Sequence, residues 1–236
     1  MPFFLMKAII LAGGKGSRFA PITDKIPKAL IPVNGKTLLE RVICSLPDSI
    51  DTIIVTTKYL GNLIEKSIGN EFLDKKVIYT KQDELSEGTW PALFSTRNLV
   101  RKDEFFCVLN TDDIFDKNEI DKILQKKEVG MGITKKILPA KYHGVRFDNN
   151  NFFIKFERHE NENREFLVED FFANGFFLLN GEVFDSDPQK LIDGEFGLPQ
   201  TVTKSSKYSK IKVFKMDKWL PCNTFEDLDF LTKIFK

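Results

Sequence analysis

At 236 residues, with 42% apolar and 29% charged side chains, the chain has the length and balance of a soluble globular protein with a full hydrophobic core. Lys plus Arg number 35 against 34 Asp plus Glu, so no bulk basic field is available to hold nucleic acid or an anionic membrane. The longest apolar stretches, such as Ala8 to Ala12, fall far short of the ~20 residues needed to cross a bilayer. The apolar start lacks a basic n-region and runs straight into a glycine loop, which argues against a signal peptide and for the cytoplasm. Cys44, Cys107 and Cys222 are odd in number and widely spaced, which speaks against a disulfide framework or a structural zinc site.

The expected elements begin with Lys7 to Leu11 (KAIIL), a short continuous apolar run of the kind buried on both faces of a parallel sheet. After the glycine loop, Lys36 to Ser45 has helical spacing of Leu38, Leu39, Val42 and Ile43. Thr52 to Thr56 then predicts a strand, Tyr59 to Ile68 a helix, Val77 to Thr80 a strand, Trp90 to Val100 a helix and Phe105 to Asn110 a strand. Glu119 to Lys126 carries helical periodicity. Strands are expected at Val129 to Ile137, Gly144 to Phe147, Phe152 to Phe156, Phe176 to Leu179 and Ile211 to Phe214, and a last helix at Phe225 to Phe235. No linker or repeat divides the chain, so 1–236 reads as one domain, with a nucleotide-binding half (1–128) and an acceptor-binding half (129–236). In open α/β sheets ligands bind beyond the carboxyl ends of the strands.

The segment Leu11 to Lys28, LAGGKGSRFAPITDKIPK, follows the first strand. Glycines at 13, 14 and 16 let the backbone turn sharply and bring bare N–H groups to a phosphate. Lys15, Arg18 and Lys28 add three cations, which suit the charge that builds on an α-phosphate under attack. The loop fits neither the Walker pattern nor the G-x-G-x-x-G dinucleotide fingerprint.

As a whole, the string closely resembles the signature of the sugar-phosphate nucleotidyltransferase family. That pattern, L-A-G-G-x-G-x-R then P-x-T then P-K, is met by Leu11, Ala12, Gly13, Gly14, Gly16, Arg18, Pro21, Thr23, Pro27 and Lys28, and the match runs on through Ala29 to Val33 and Gly35-Lys36. The resemblance implies a Rossmann-like three-layer α/β/α fold with a mixed, mostly parallel sheet. It also implies a reaction in which an acceptor phosphate displaces pyrophosphate from a nucleoside triphosphate, assisted by Mg2+. Leu11, Ala12, Gly13, Gly14, Lys15 and Gly16 would lie against the nucleotide, with Arg18 on its phosphates and Lys28 bridging the reacting groups. Gln82, followed by Gly88-Thr89, resembles the family's base-binding element.

By the same resemblance, the metal-binding aspartate after the fourth strand falls on Asp112 of VLNTDDIF, with Thr111 in place of the usual glycine. Asp113 beside it is either a neighbouring helper or the start of a helix cap. Many sugar-type relatives carry a second aspartate in Trp-x-Asp-x-Gly-Thr. Here WLPCNTFEDL puts Pro221 at that position, and a proline side chain cannot ligate. Asn223-Thr224 followed by Asp227-Leu228 resembles a cytidylyltransferase-like version in which the asparagine serves the metal, so Asn223 is the expected second ligand and CTP the favoured nucleotide. On the acceptor side the resemblance marks Gly144 of YHGV, Glu157 and Arg158 of FER, and Asn174 before Gly175. His143 and His159 are read as incidental. Family habit implies a homo-oligomer, dimer or tetramer. A catalytically silent nucleotide-sugar-binding regulatory subunit is the alternative, favoured by Pro221 and opposed by the loop cations and Asp112. A glycosyltransferase would need Asp-x-Asp, and Asp112-Asp113 lacks the spacer.

Overall fold

A computed structural model describes residues 5–83, 86–139, 142–158 and 167–236; His159 lies outside them. In chain order the elements are β1 (Met6–Leu11), β2 (Pro32–Val33), β3 (Lys36–Thr37), α1 (Leu38–Cys44), β4 (Ile50–Thr57), α2 (Gly61–Ile68), β5 (Glu71–Phe72), β6 (Lys75–Lys81), α3 (Thr89–Phe94) and β7 (Phe105–Asn110). They continue with β8 (Asp113–Phe115), α4 (Lys117–Leu124), β9 (Gly130–Pro139), β10 (Gly144–Phe147), β11 (Phe153–Glu157), β12 (Leu167–Asn180), α5 (Leu198–Lys204), β13 (Lys212–Lys215), β14 (Trp219–Pro221) and α6 (Phe225–Ile234).

Eight strands form the main sheet in the order β13-β9-β12-β7-β1-β4-β6-β5. Strands β7, β1, β4 and β6 run parallel, and β12 is antiparallel to both of its neighbours, β7 and β9. The parallel strands are continuous apolar runs because both of their faces are covered. Ala8 and Ile10 join a cluster with Leu38, Leu39, Val42, Ile64, Ile120 and Leu231 of α1, α2, α4 and α6. Ile9 and Leu11 face the other way, onto Trp90, Leu93, Leu198 and Val202 of α3 and α5. The result is a Rossmann-like α/β/α arrangement. Among the described residues, no helix is long and apolar enough to cross a membrane.

The structure refines several expected elements. The helix expected at Lys36 begins at Leu38, because Thr37 and Glu40 close a capping box: Glu40 N–H donates to Thr37 Oγ1 (3.2 Å) and Thr37 N–H to Glu40 Oε2 (2.6 Å). The helix expected to run to Val100 ends at Phe94 and gives way to a 3-10 turn at Arg97–Leu99. The strand expected at Phe176 to Leu179 extends back to Leu167, with an irregular register between Ala173 and Phe177. The short β8–β14 ribbon and α5 were not expected from the sequence.

Candidate active site

A cavity of about 640 Å³ opens beyond the carboxyl ends of β1, β6 and β7. Its floor is set by backbone bonds that splay the loops: Ala12 N–H donates to Thr56 O (3.0 Å), Gln82 N–H to Thr57 O (2.8 Å) and Thr111 N–H to Leu11 O (3.3 Å). Of the residues singled out above, Leu11, Gly13, Gly14, Lys15, Gly16, Arg18, Lys28, Gln82, Gly88, Thr89, Asp112 and Asn223 line this one cavity. Ala12 is buried beneath it. Gly144, Glu157, Arg158 and Asn174 are not among its lining residues.

The glycine loop presents its cations differently. Arg18 is exposed in the middle of the 3-10 turn Ser17–Phe19 and has no ion pair among the described residues. Lys15 makes a long, exposed pair with Asp24, 3.9 Å, of the sort that adds little stability, and its ammonium lies 5.6 Å from the Tyr59 ring centre. Lys28 is tucked in: its ammonium forms an ion pair with Asp112 Oδ2 and lies 5.3 Å from the Phe19 ring centre. The pair's side chains are 14% and 20% exposed, so it is much less screened than a surface pair.

Opposite the loop, Gln82 is buried and its amide is oriented by the chain. Nε2 donates to Ser86 O (2.7 Å), which leaves Oε1 facing Gly13; a Cβ added at Gly13 would lie 3.0 Å from that oxygen. Gln82 thus offers an acceptor to whatever occupies the space beside Gly13. Gly88 adopts φ +108°, a conformation that glycine alone takes readily, and its Cα faces the Phe196 backbone. Trp90 N–H donates to Phe196 O (3.0 Å), Phe196 N–H to Glu87 O (2.9 Å) and Leu198 N–H to Thr89 Oγ1 (2.9 Å). This seam brings Glu195 to the cavity from more than a hundred residues downstream. Lys58, whose Nζ donates to Glu87 Oε1 (2.6 Å) and Ser86 O (3.0 Å), lines it too. Lys58, Glu87, Asn110 and Glu195 carry no local motif, and sequence reasoning did not find them.

Beyond β7 the two aspartates have separate environments. Asp113 is buried, accepting from Asn110 Nδ2 (2.8 Å) and Trp219 Nε1 (2.7 Å). Burial, and then the neighbouring Asp112 carboxylate, raises its pKa against the pull of those two donors. Asp112 instead reaches the cavity, and its Oδ1 carries no hydrogen bond among the described residues. Asn223 lines the same space, and its side-chain amide likewise makes no hydrogen bond among the described residues. Among the described residues no three His, Cys, Asp or Glu side chains gather as a metal cage. One carboxylate and one amide oxygen, both hard donors, nonetheless fit magnesium, which keeps waters and takes substrate phosphates for the rest of its shell.

The acceptor-side candidates are held elsewhere. Gly144 pairs with Glu157 between β10 and β11. Glu157 receives Arg146 Nε (2.5 Å) and Lys155 Nζ (2.8 Å), while Arg158 Nε donates to His143 Nε2 (2.9 Å) on an exposed edge. Asn174 is buried in the irregular part of β12; its Oδ1 accepts from Phe176 N–H (3.3 Å) and its Nδ2 has no hydrogen-bond partner among the described residues.

A Rossmann-like sheet with a cationic glycine loop and an acidic strand end defines a nucleotide-handling α/β protein. The sequence matches the family model for nucleotidyl transferases over residues 7–217, and the chain belongs to that family, the sugar-phosphate nucleotidyltransferases. It is 27% identical over 214 residues to the bifunctional protein GlmU of Methanocaldococcus jannaschii, covering 90% of this chain and 50% of that protein. The chain thus spans about half the length of the GlmU relatives it matches first. It is 29% identical over 181 residues to the D-glycero-alpha-D-manno-heptose 1-phosphate guanylyltransferase of Campylobacter jejuni, covering 76% of this chain and 78% of that enzyme. A solved structure of UDP-glucose pyrophosphorylase complexed with UDP-glucose has a TM-score of 0.80 over 98% of both chains at 17% identity, a likeness of fold.

Proposed function

We propose that this protein is a magnesium-dependent nucleotidyltransferase that joins the monophosphate of a nucleoside triphosphate to a sugar 1-phosphate or similar small phosphorylated acceptor, releasing pyrophosphate. The observation that carries the reading is the convergence of the loop cations, the Lys28–Asp112 pair and the Gln82 acceptor on one cavity. An acceptor phosphate oxygen attacks the α-phosphorus, the bond to the bridging α–β oxygen breaks, and its electron pair leaves with pyrophosphate. The attacking oxygen is already anionic, so no general base is required. Gly13 to Gly16 cradle the triphosphate, Arg18 contacts its oxygens, and Lys28 exchanges Asp112 for the phosphate charge that grows in the transition state. Asp112 and Asn223 would hold magnesium, which when bound neutralises phosphate charge and polarises the α-phosphate. Gln82 accepts from a base N–H, beside Gly88 and Thr89.

The chain works as one unit in this proposal, with 1–128 holding the nucleotide and 129–236 the acceptor. Arg158 would exchange His143 for the acceptor phosphate, with Glu157 and Asn174 meeting hydroxyls and Gly144 leaving room for them. CTP is favoured by the Asn223-Thr224 ending, and the product would feed cell-surface polysaccharide or glycoconjugate synthesis from the cytoplasm, the enzyme acting as a homo-oligomer. The test is magnesium-dependent pyrophosphate release with five nucleoside triphosphates crossed against a panel of sugar and small-metabolite phosphates, with mass spectrometry of products. One strongly active pair is expected. Nucleotide binding without turnover across the panel overturns the proposed reaction.

A further inference from the structure

The two groups proposed to hold magnesium arrive from distant parts of the chain, Asp112 after β7 and Asn223 after β14. What sets one against the other is the β8–β14 ribbon, in which Asp113, Ile114 and Phe115 pair antiparallel with Pro221, Leu220 and Trp219. At its end Cys222 N–H donates to Asp112 O (2.8 Å), so the backbone beside Asn223 is tied to the backbone of Asp112 itself. Three residues per strand make a weak clamp, since two-stranded ribbons are marginal without other support.

The support is a carboxylate. Asp113 is 5% exposed, and each of its oxygens takes a donor from a different arm: Trp219 Nε1 at 2.7 Å on Oδ1, Asn110 Nδ2 at 2.8 Å on Oδ2. Strand β12 closes over this corner at Gly175, φ +84°, where an added Cβ would collide with Asp113 Oδ2 and Asn110 Nδ2. Pro221, whose side chain carries no donor or acceptor, stands directly opposite Asp113 in the ladder. The carboxylate of this corner therefore sits on the facing strand. It is turned inward onto donors and does not line the cavity.

We propose that Asp113 is a positioning residue: its bond to Trp219 locks β14 onto β8 and so fixes Asn223 relative to Asp112 for metal binding. The inference rests on the nucleotidyltransferase reading and on Asp112 and Asn223 as the donors. Groups that orient metal ligands without touching the metal commonly change affinity 10- to 100-fold when lost.

The experiment measures Mn2+ binding by electron paramagnetic resonance of the free ion, on the full chain with a non-hydrolysable nucleoside triphosphate analogue. Variants are Trp219→Phe, Asp113→Ala and Asp113→Asn, each checked for folding by near-ultraviolet circular dichroism, with metal-free nucleotide affinity measured alongside. Trp219→Phe and Asp113→Ala are expected to weaken Mn2+ about tenfold while metal-free nucleotide binding moves less than twofold. Asp113→Asn keeps an oxygen for Trp219 Nε1 and should stay within threefold of the parent protein. Unchanged Mn2+ affinity in folded Trp219→Phe overturns the inference. So does an Asp113→Asn protein as impaired as Asp113→Ala, which would make the charge itself the requirement, or a parent protein that binds no Mn2+. A parent protein that binds Mn2+ with the expected variant pattern, yet turns over no substrate pair, supports the positioning role and overturns the proposed reaction instead.

Discussion

Replacing Gly88 with alanine tests the seam that carries the loop around Phe196 to the end of the cavity proposed to hold the nucleotide. At φ +108° a residue with a Cβ is strained by ~1–3 kcal/mol. Space is also lacking: the added Cβ would lie 2.6 Å from Phe196 N and 2.9 Å from Phe196 C, and closer still to Phe196 O. These are backbone atoms, so no rotamer change relieves them and the segment must lift away. Lifting breaks Trp90 N–H to Phe196 O and Phe196 N–H to Glu87 O, each bond contributing ~1 kcal/mol net. Gly88→Ala should therefore destabilise the seam by ~3–5 kcal/mol. Because Glu195, Gly88 and Thr89 line the cavity together, nucleotide affinity should fall at least tenfold. Hydrogen exchange at Trp90 and Phe196 amides reads the seam, calorimetry reads the affinity, and urea unfolding reads the whole protein. Protection at those amides within 0.5 kcal/mol of the parent protein, together with unchanged nucleotide affinity, would refute the reasoning.

Asp112→Ala and Arg18→Ala should each reduce turnover at least a hundredfold on the true substrate pair, the usual scale for losing one transition-state contact; near-normal activity of either would remove that residue from the mechanism. Gln82→Ala takes one of two donors from Ser86 O, which keeps Lys58 Nζ, and leaves the cavity without the acceptor beside Gly13, so the dissociation constant for the nucleotide, by titration calorimetry, should rise about tenfold, the equivalent of one hydrogen bond. Asp116 caps α4, its Oδ1 accepting from Asn118 N–H (3.0 Å) and Glu119 N–H (3.2 Å), so Asp116→Ala should cost ~1 kcal/mol in urea unfolding at neutral pH. The Lys218 hydrogen bond, followed by those two amides, holds its carboxyl below the usual 3.8. Its contribution is therefore fully present above that value and lost as pH falls through the lower folded value, so the difference between the two proteins should shrink in strong acid. A constant difference from pH 7 to pH 2 would rule that linkage out.

The parallel half of the fold was legible because its strands are buried on both faces, and burial writes itself as runs such as KAIIL and FFCVLN. The glycine loop was legible because the family pattern it resembles sets many adjacent positions at once. The ribbon of β8 and β14 was not: three residues containing a proline have no periodicity, and the side-chain bond across the ribbon joins a carboxylate and an indole 106 positions apart. Helix α5, LPQTVTK, starts with a proline suited to a first turn but carries the β-branched Thr201, Val202 and Thr203, which in isolation argue for other structure; packing of Leu198 and Val202 against the sheet overrides that preference. Glu195 escaped for a similar reason. Its place at the cavity follows the backbone bonds of the next residue, Phe196, to Glu87 and Trp90, which no side-chain pattern announces.

The position of β12 has a consequence for how the chain can be made. Strand β7 is sandwiched between β1, synthesised well before it, and β12, whose residues 167–180 emerge much later. During that interval a nascent chain carries Phe105–Asn110 as an open sheet edge, although Phe106, Cys107, Val108 and Leu109 are all fully buried in the finished protein. A bare apolar edge is a template for pairing with another chain. The strand that ends the exposure also seats Gly175 over Asn110 and Asp113, so one late event on the ribosome both quenches the edge and roofs the acidic corner.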